Sequence, residues 1–193
     1  MYFCGSVIGI DNRMRQEKSD PIYDRNTIEF VTVALEYCAF MEQAGEDGLS
    51  PFLDKTTKLL PLLYLKAGML PIVEAEEEPE QAVTEQMYES IRSRLADLLG
   101  EHDVYLDTFH EDMRYSDTPI AAFISENLAD VYQDMGNFVA AYRTGHEEVM
   151  REALAACRES FRTYWGQRLL NALKALHAVY YGEEGCDVEK EGV

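Results

Sequence analysis

Ile124-Ser-Glu-Asn-Leu-Ala-Asp-Val-Tyr-Gln-Asp-Met-Gly-Asn-Phe-Val-Ala-Ala-Tyr142 is the stretch whose reading decides the fold. Ile124, Leu128, Val131, Met135, Phe138 and Tyr142 recur at alternating steps of four and three residues. That spacing lines one side of an α-helix with apolar side chains, a seven-residue repeat facing a partner helix. Thr118-Pro119 opens the pattern, since proline at a helix start loses no needed donor.

Downstream, Thr144-Gly-His-Glu147 has the spacing of a capping box. An apolar pattern then runs through Val149, Leu154, Cys157, Phe161, Trp165, Leu169, Leu173, Leu176 and Tyr180 without a proline. It predicts one long C-terminal helix, bent at Gly166. Upstream, Thr84 caps a helix carrying Met87, Ile91, Leu95 and Leu98, and Gly100 stops it. Tyr105 and Phe109, four apart, suggest a short helix anchored by its aromatics.

Residues 74–81 (Glu-Ala-Glu-Glu-Glu-Pro-Glu-Gln) read as a solvated acidic linker in which like charges repel. Ser50-Pro51 begins a helix that kinks or breaks at Pro61 and closes by Gly68 and Pro71. Asn26-Thr-Ile-Glu29 is a further capping box, followed by an apolar face of Ile28, Val31, Leu35, Cys38 and Met41 that ends at the Gly45–Gly48 turn. No run alternates long enough to predict a strand, and no fixed-period repeat is visible. The expected fold is all-α: an antiparallel bundle of five to six helices with a long C-terminal helix. Residues 26–182 form one domain in this reading, between a loose tail at 1–25 and an acidic tail at 183–193. Residues 1–13 read as an over-extended start or a loose end.

The chain has 193 residues, 36 acidic and 17 basic, for a formal net charge of −19. Nucleic-acid binding draws on clustered Lys and Arg, so this balance argues against it. No apolar run approaches the roughly 20 residues that span a bilayer, and the first residues make a poor signal peptide. Cys4, Cys38, Cys157 and Cys186 lie far apart with no Cys-x-x-Cys, which predicts reduced thiols in a cytoplasmic protein.

Three stretches carry a resemblance: Leu60-Pro-Leu-Leu-Tyr-Leu65, Ile124-Ser-Glu-Asn-Leu-Ala-Asp-Val-Tyr-Gln-Asp134, and Tyr164-Trp-Gly-Gln167 leading to Asn171-Ala-Leu-Lys-Ala-Leu-His177. The first is generic for a packed helix; the other two are more specific. Together they resemble an uncharacterised bacterial family, a domain of unknown function common in the Bacteroides group, over residues 27–181. The resemblance implies an all-helical intracellular protein and carries over no catalytic residue.

Chemistry has few footholds. Glu126, Asp130 and Asp134 step by four along one helix, as carboxylates do in helical metal enzymes. Measured from Ile124 at about 100° per residue, however, the core centres near about 20° while Glu126 and Asp130 fall near about 200° and 240°. A solvated face is therefore expected. Ala129, Gly136 and Ala140 form a small-residue ridge where another helix could cover part of that side. Asp103, Asp107 and Glu111 make a second stripe beside His110, but the paired Glu-x-x-His of di-iron bundles is absent. His177 reads as a half-buried histidine, or alternatively as pocket lining with Gln167 and Asn171, from which it diverges around the helix. Trp165 reads as core, and Cys38 and Cys157 as buried, inert thiols.

No nucleophile, phosphate-loop or dinucleotide motif is present, and no cofactor is called for. Two functions remain: an acidic helical interaction module for a basic protein partner, or a metal-dependent hydrolase of a small phosphorylated or nucleotide substrate using Glu126 and Asp130. The candidate binding residues are Glu126, Asp130, Gln167, Asn171 and His177. Oligomeric state is left open.

Overall fold

The computed structural model describes residues 20–75, 77, 79–107 and 120–182. Calls on residues 1–19, on Phe109, His110, Glu111 and Thr118-Pro119, and on the tail at 183–193 lie outside them. Residues 20–25, expected in a loose tail, are packed. Ile22 is fully buried, Asp20 pairs with Arg151 at 2.8 Å, and the Tyr142 hydroxyl donates to the Ile22 carbonyl at 2.5 Å.

Helix α1 (Arg25–Glu42) starts from Asp24, whose carboxylate accepts the Asn26 N–H at 2.9 Å, so Asp24 rather than Asn26 is the cap. Its buried face is Thr27, Phe30, Ala34, Tyr37, Cys38 and Met41. Ile28 and Leu35, expected inside, are 51% and 38% exposed. Two aromatics set this phase. Phe30 packs on Phe138 and Trp165 with ring centroids 5.1 and 6.5 Å away, and Tyr37 donates to the Leu128 carbonyl at 2.8 Å. An aromatic buries more area than a branched aliphatic, and the Tyr37 hydroxyl finds its partner only on that side.

After a turn in which Gly45 and Gly48 take positive φ, α2 (Leu49–Gly68) runs through Pro61 without a break. Proline removes one helix hydrogen bond, but Leu59, Leu60 and Leu63 are buried on both sides of it and keep both halves of the helix packed on the core. Helix α3 (Glu85–Leu99) keeps the ends read for it, since Thr84 Oγ accepts the Met87 N–H at 3.2 Å and Gly100, at φ 55°, ends it, but of its expected face Ile91 and Leu95 are buried, Leu98 is partly covered and Met87 is exposed.

A tight turn at Gly100–Asp103 leads into β1 (Val104–Asp107), antiparallel to β2 (Ile120–Phe123), with Val104 opposite Phe123 and Asp107 opposite Ile120. The short helix expected at Tyr105 is thus a strand, and α4 begins at Ile124 rather than at Thr118. The strand escapes a hydropathy reading because it is inverted. Val104 and Leu106 face out, while Tyr105 and Asp107 turn inward to a polar seam.

Helix α4 (Ile124–Tyr142) lies at the centre, packed against α1, α3, α5 and α6; α2 bridges α1 and α6. Its predicted stripe is buried from Ile124 to Phe138, with Tyr142 partly covered. Helices α5 (Glu147–Ser160) and α6 (Gly166–Tyr181) form one long C-terminal helix, joined by a wider π-type turn at Phe161–Trp165 just before Gly166. Thr144 Oγ accepts the His146 N–H within the preceding turn and does not cap α5. Trp165 is fully buried, its indole N–H donating to the Cys157 carbonyl at 3.0 Å. Among the described residues the architecture is mostly all-α with one two-stranded ribbon. Among the described residues no helix is long and apolar enough to cross a membrane.

Candidate functional site

The sequence candidates separate into two places. Helix α4 brings Glu126, Asn127 and Asp130 against Gln167, Arg168 and Asn171 of α6, Tyr105 and Asp107 of β1, and Tyr88 of α3. Asp130 accepts from the Tyr88 hydroxyl at 2.9 Å and pairs with Arg168 Nε at 3.3 Å, its side chain only 13% exposed. Gln167 donates to Asn171 Oδ1 at 2.8 Å, and Asn171 donates to Asp107 at 3.5 Å. Asn127 donates to the Tyr105 hydroxyl at 2.7 Å and to the Phe123 carbonyl at 2.9 Å, while its buried Oδ1 has no partner among the described residues. Glu126 stands at the exposed edge, within electrostatic reach of Tyr88 and Arg92. His177 is elsewhere: it is exposed, its ring against Tyr181 at 4.7 Å.

Asp130 was expected to face water. Helix α3 packs along α4 on the small-residue side, where Ala129 is fully buried, and so covers it. Burial, then the Asp130 charge, pushes the Tyr88 phenol well up, which keeps it a hydrogen-bond donor. With a guanidinium and a phenol on its oxygens, Asp130 ties α3, α4 and α6 together. Among the described residues no three His, Cys, Asp or Glu groups come together in a way that could hold a metal ion. Asp103, from the second stripe, is also engaged, with Ser125.

The other place is a groove between α4, α5 and the described residues of the acidic run, 75, 77 and 79–81. Asn137 Oδ1 accepts the backbone N–H groups of Ala82 and Val83, both at 2.8 Å. Val83 is buried over Gly136, where a Cβ would come within 2.5 Å of Val83 Cγ2. These contacts hold the segment alongside the helices and leave two adjoining cavities of about 520 and 540 Å³. Asp134, Glu77 and Glu159 line the first, over a floor of Ala153, Ala155 and Ala156; Glu77, Glu80 and Glu152 line the second. Among the described residues neither lining includes a Lys or Arg. Arg162 pairs with Glu159 at 2.8 Å on the exposed rim. Burial pushes the Asp134 carboxyl up to about 6, with the Asp130 charge adding to the rise and a hydrogen bond from Ser160 opposing it.

Of this groove, the sequence reading had Asp134 in a stripe and the acidic run as a free linker. It missed Asn137, Glu152 and Glu159. The acid count alone pointed toward such a feature, because residues on α5 give no local sign that a distant segment lies across them.

A protein-family model described as "Domain of unknown function (DUF5063)" matches residues 21–182. No curated protein matches the chain. Among solved structures, the chain is similar to protein BF1032 from Bacteroides fragilis, a target of the Northeast Structural Genomics Consortium. The similarity is 46% identity with a TM-score of 0.75, over 84% of this chain and 97% of that one. The chain therefore belongs to the DUF5063 family, whose function is unknown.

Proposed function

We propose that this protein is an acidic interaction module that receives a basic segment of another protein in the groove between α5 and residues 75, 77 and 79–81. The observation that carries the reading is a pair of cavities walled by Glu77, Glu80, Glu152, Glu159 and Asp134, with an alanine floor and, among the described residues, no lining Lys or Arg. The aliphatic stem of a lysine or arginine can lie on alanine while its head reaches the carboxylates. A net charge of −19 raises the encounter rate with such a partner and repels nucleic acid. Free, buried Cys38 and Cys157 support a reducing, cytoplasmic setting. The metal-dependent hydrolase reading draws no support from Asp130, which is already engaged by Arg168 and Tyr88.

The test is binding of a fluorescent lysine- and arginine-rich peptide at about 50 mM and about 300 mM salt. Glu77→Lys/Glu152→Lys is compared with Glu46→Lys/Asp47→Lys, which makes the same change in net charge at the α1–α2 turn. Loss of binding in the groove variant alone supports the reading. Equal loss in both variants, or none in either, overturns it. Asn137→Ala, which releases the Ala82 and Val83 amides, weakens binding without adding a charge.

A further inference from the structure

The two acidic cavities adjoin, with Glu77, Pro79 and Gln81 lining both. On α5 the first faces residues between Ala153 and Ser160, and the second faces Val149 and Glu152. On α4 the first faces residues between Asp134 and Phe138, and the second faces Ala140 and Ala141. Their midpoints are therefore offset by about four to six residues along the helices, roughly 6–9 Å at about 1.5 Å per residue. Each cavity has carboxylates of its own: Asp134 and Glu159 in the first, Glu80 and Glu152 in the second. The wall opposite α5 also offers its main chain. Among the described residues, no backbone group of Pro79, Glu80 or Gln81 is hydrogen-bonded within the chain, and Asn137 holds the segment just beyond them, at the Ala82 and Val83 amides. Such unpaired donors and acceptors suit strand addition, in which an incoming main chain supplies partners and alternate side chains enter pockets. A helix has its own backbone bonds closed and makes no use of them.

Resting on the function proposed above, we infer that the partner enters as an extended segment with two basic residues separated by one other. One basic side chain fills each cavity, and the main chain lies along Pro79, Glu80 and Gln81. In an extended chain residues i and i+2 point to the same side, about 6.6–6.8 Å apart, which falls within the offset of the cavities. Residues i and i+1 point to opposite sides, as do i and i+3, so those spacings fill one cavity only. Residues i and i+4 share a side but stand about 13 Å apart, beyond the second cavity.

The test is fluorescence anisotropy of the full chain with labelled peptides of equal length, each carrying two lysines in a glycine-serine background, at about 50 mM salt. The lysines stand at i and i+1, i+2, i+3 or i+4. The charge of −19 attracts all four peptides alike, so a difference among them reports geometry. The i+2 peptide should bind about 10-fold more tightly than the i+1 and i+3 peptides, because its second lysine is delivered to its cavity by the first. Glu152→Gln and Asp134→Asn, one in each cavity, should each cut that advantage to about twofold or less, with circular dichroism confirming the fold. Equal affinity at every spacing, all of it lost in Glu77→Lys/Glu152→Lys, overturns the extended two-site partner and leaves the groove reading standing. So does an optimum at i+4, or an i+2 advantage that survives both neutral variants. Binding by none of the peptides, or binding indifferent to Glu77→Lys/Glu152→Lys, overturns both.

Discussion

The carboxylate of Asp103 accepts both the backbone N–H and the hydroxyl of Ser125, each at 2.7 Å, and so closes the N-terminus of α4 from outside that helix. The amides at a helix start need acceptors, and Phe123, in the cap position, supplies no side-chain oxygen. An acid from the α3–β1 turn does the work of a cap residue and also fixes where the ribbon meets the central helix. Asp103→Ala leaves the amide and hydroxyl of buried Ser125 without an acceptor. It should cost about 2–3 kcal/mol, seen as a Tm lower by about 5–10 °C. A Tm unchanged within error would show that solvent caps α4 equally well.

Asp134 makes stability depend on pH in the opposite sense to a salt-bridged acid. Its folded carboxyl titrates at about 6, against 3.8 for the free group. Above pH 6 the native state holds an unfavourable buried carboxylate. That cost shrinks as pH falls through 6 and is gone near 4, where both states are protonated. Asp134→Asn should therefore be more stable than the parent by about 1–2 kcal/mol at pH 7.5, less than the full shift implies because the side chain is only partly buried. The advantage should vanish by pH 4. Denaturant titrations at the two pH values check this, and a constant difference would contradict it.

Gly166 follows the π-type turn directly. A Cβ there would run into the Phe161 carbonyl oxygen and meet the edge of the Phe161 ring at 2.9 Å. An ordinary helical Gly→Ala gains about 0.5–1 kcal/mol from propensity. Gly166→Ala should instead lose about 2 kcal/mol, because the obstacle is backbone that must unwind the turn to make room. A raised Tm in thermal melts would mean that the turn relaxes freely to α-geometry.

Burial pushes the Cys38 thiol up to about 12 and raises that of Cys157 well above its ordinary range. Only the thiolate attacks alkylating agents. Iodoacetamide at pH 8 should leave both unmodified in the native protein and label both fully in denaturant. Peptide mass mapping reads each site separately. Labelling of Cys38 at native rates comparable to those in denaturant would mean that α1 opens readily.

Much of the fold was legible locally. Six apolar residues at helical spacing marked α4, Thr84 and Gly100 bounded α3, and the proline-free run after Thr144 announced the long C-terminal helix. The misreadings share a cause. In α1, Ile28 and Leu35 and the pair Phe30 and Tyr37 both lie at helical spacing on different sides. Periodicity identifies the helix but not which side turns inward when both offer apolar groups. Strand β1 was invisible because its inward residues are polar, and their partners, Asn127 and Asn171, lie 22 and 64 residues away in sequence. Asp130 was placed on a wet face by angle from its own core stripe, and α3 reached it over the small-residue ridge.

Taken alone, the amino-acid order determined the helical class, most element boundaries, the excess of acid and the absence of a known catalytic motif. These depend on near neighbours, through capping, backbone preference and the 3.6-residue turn. Tertiary structure decided which face of α1 is buried, the engagement of Asp130 with Arg168 and Tyr88, and the groove that Asn137 holds open against α5. Each of these is set by groups distant along the chain and adjacent in space, where burial and pairing act on side chains that no local pattern brings together.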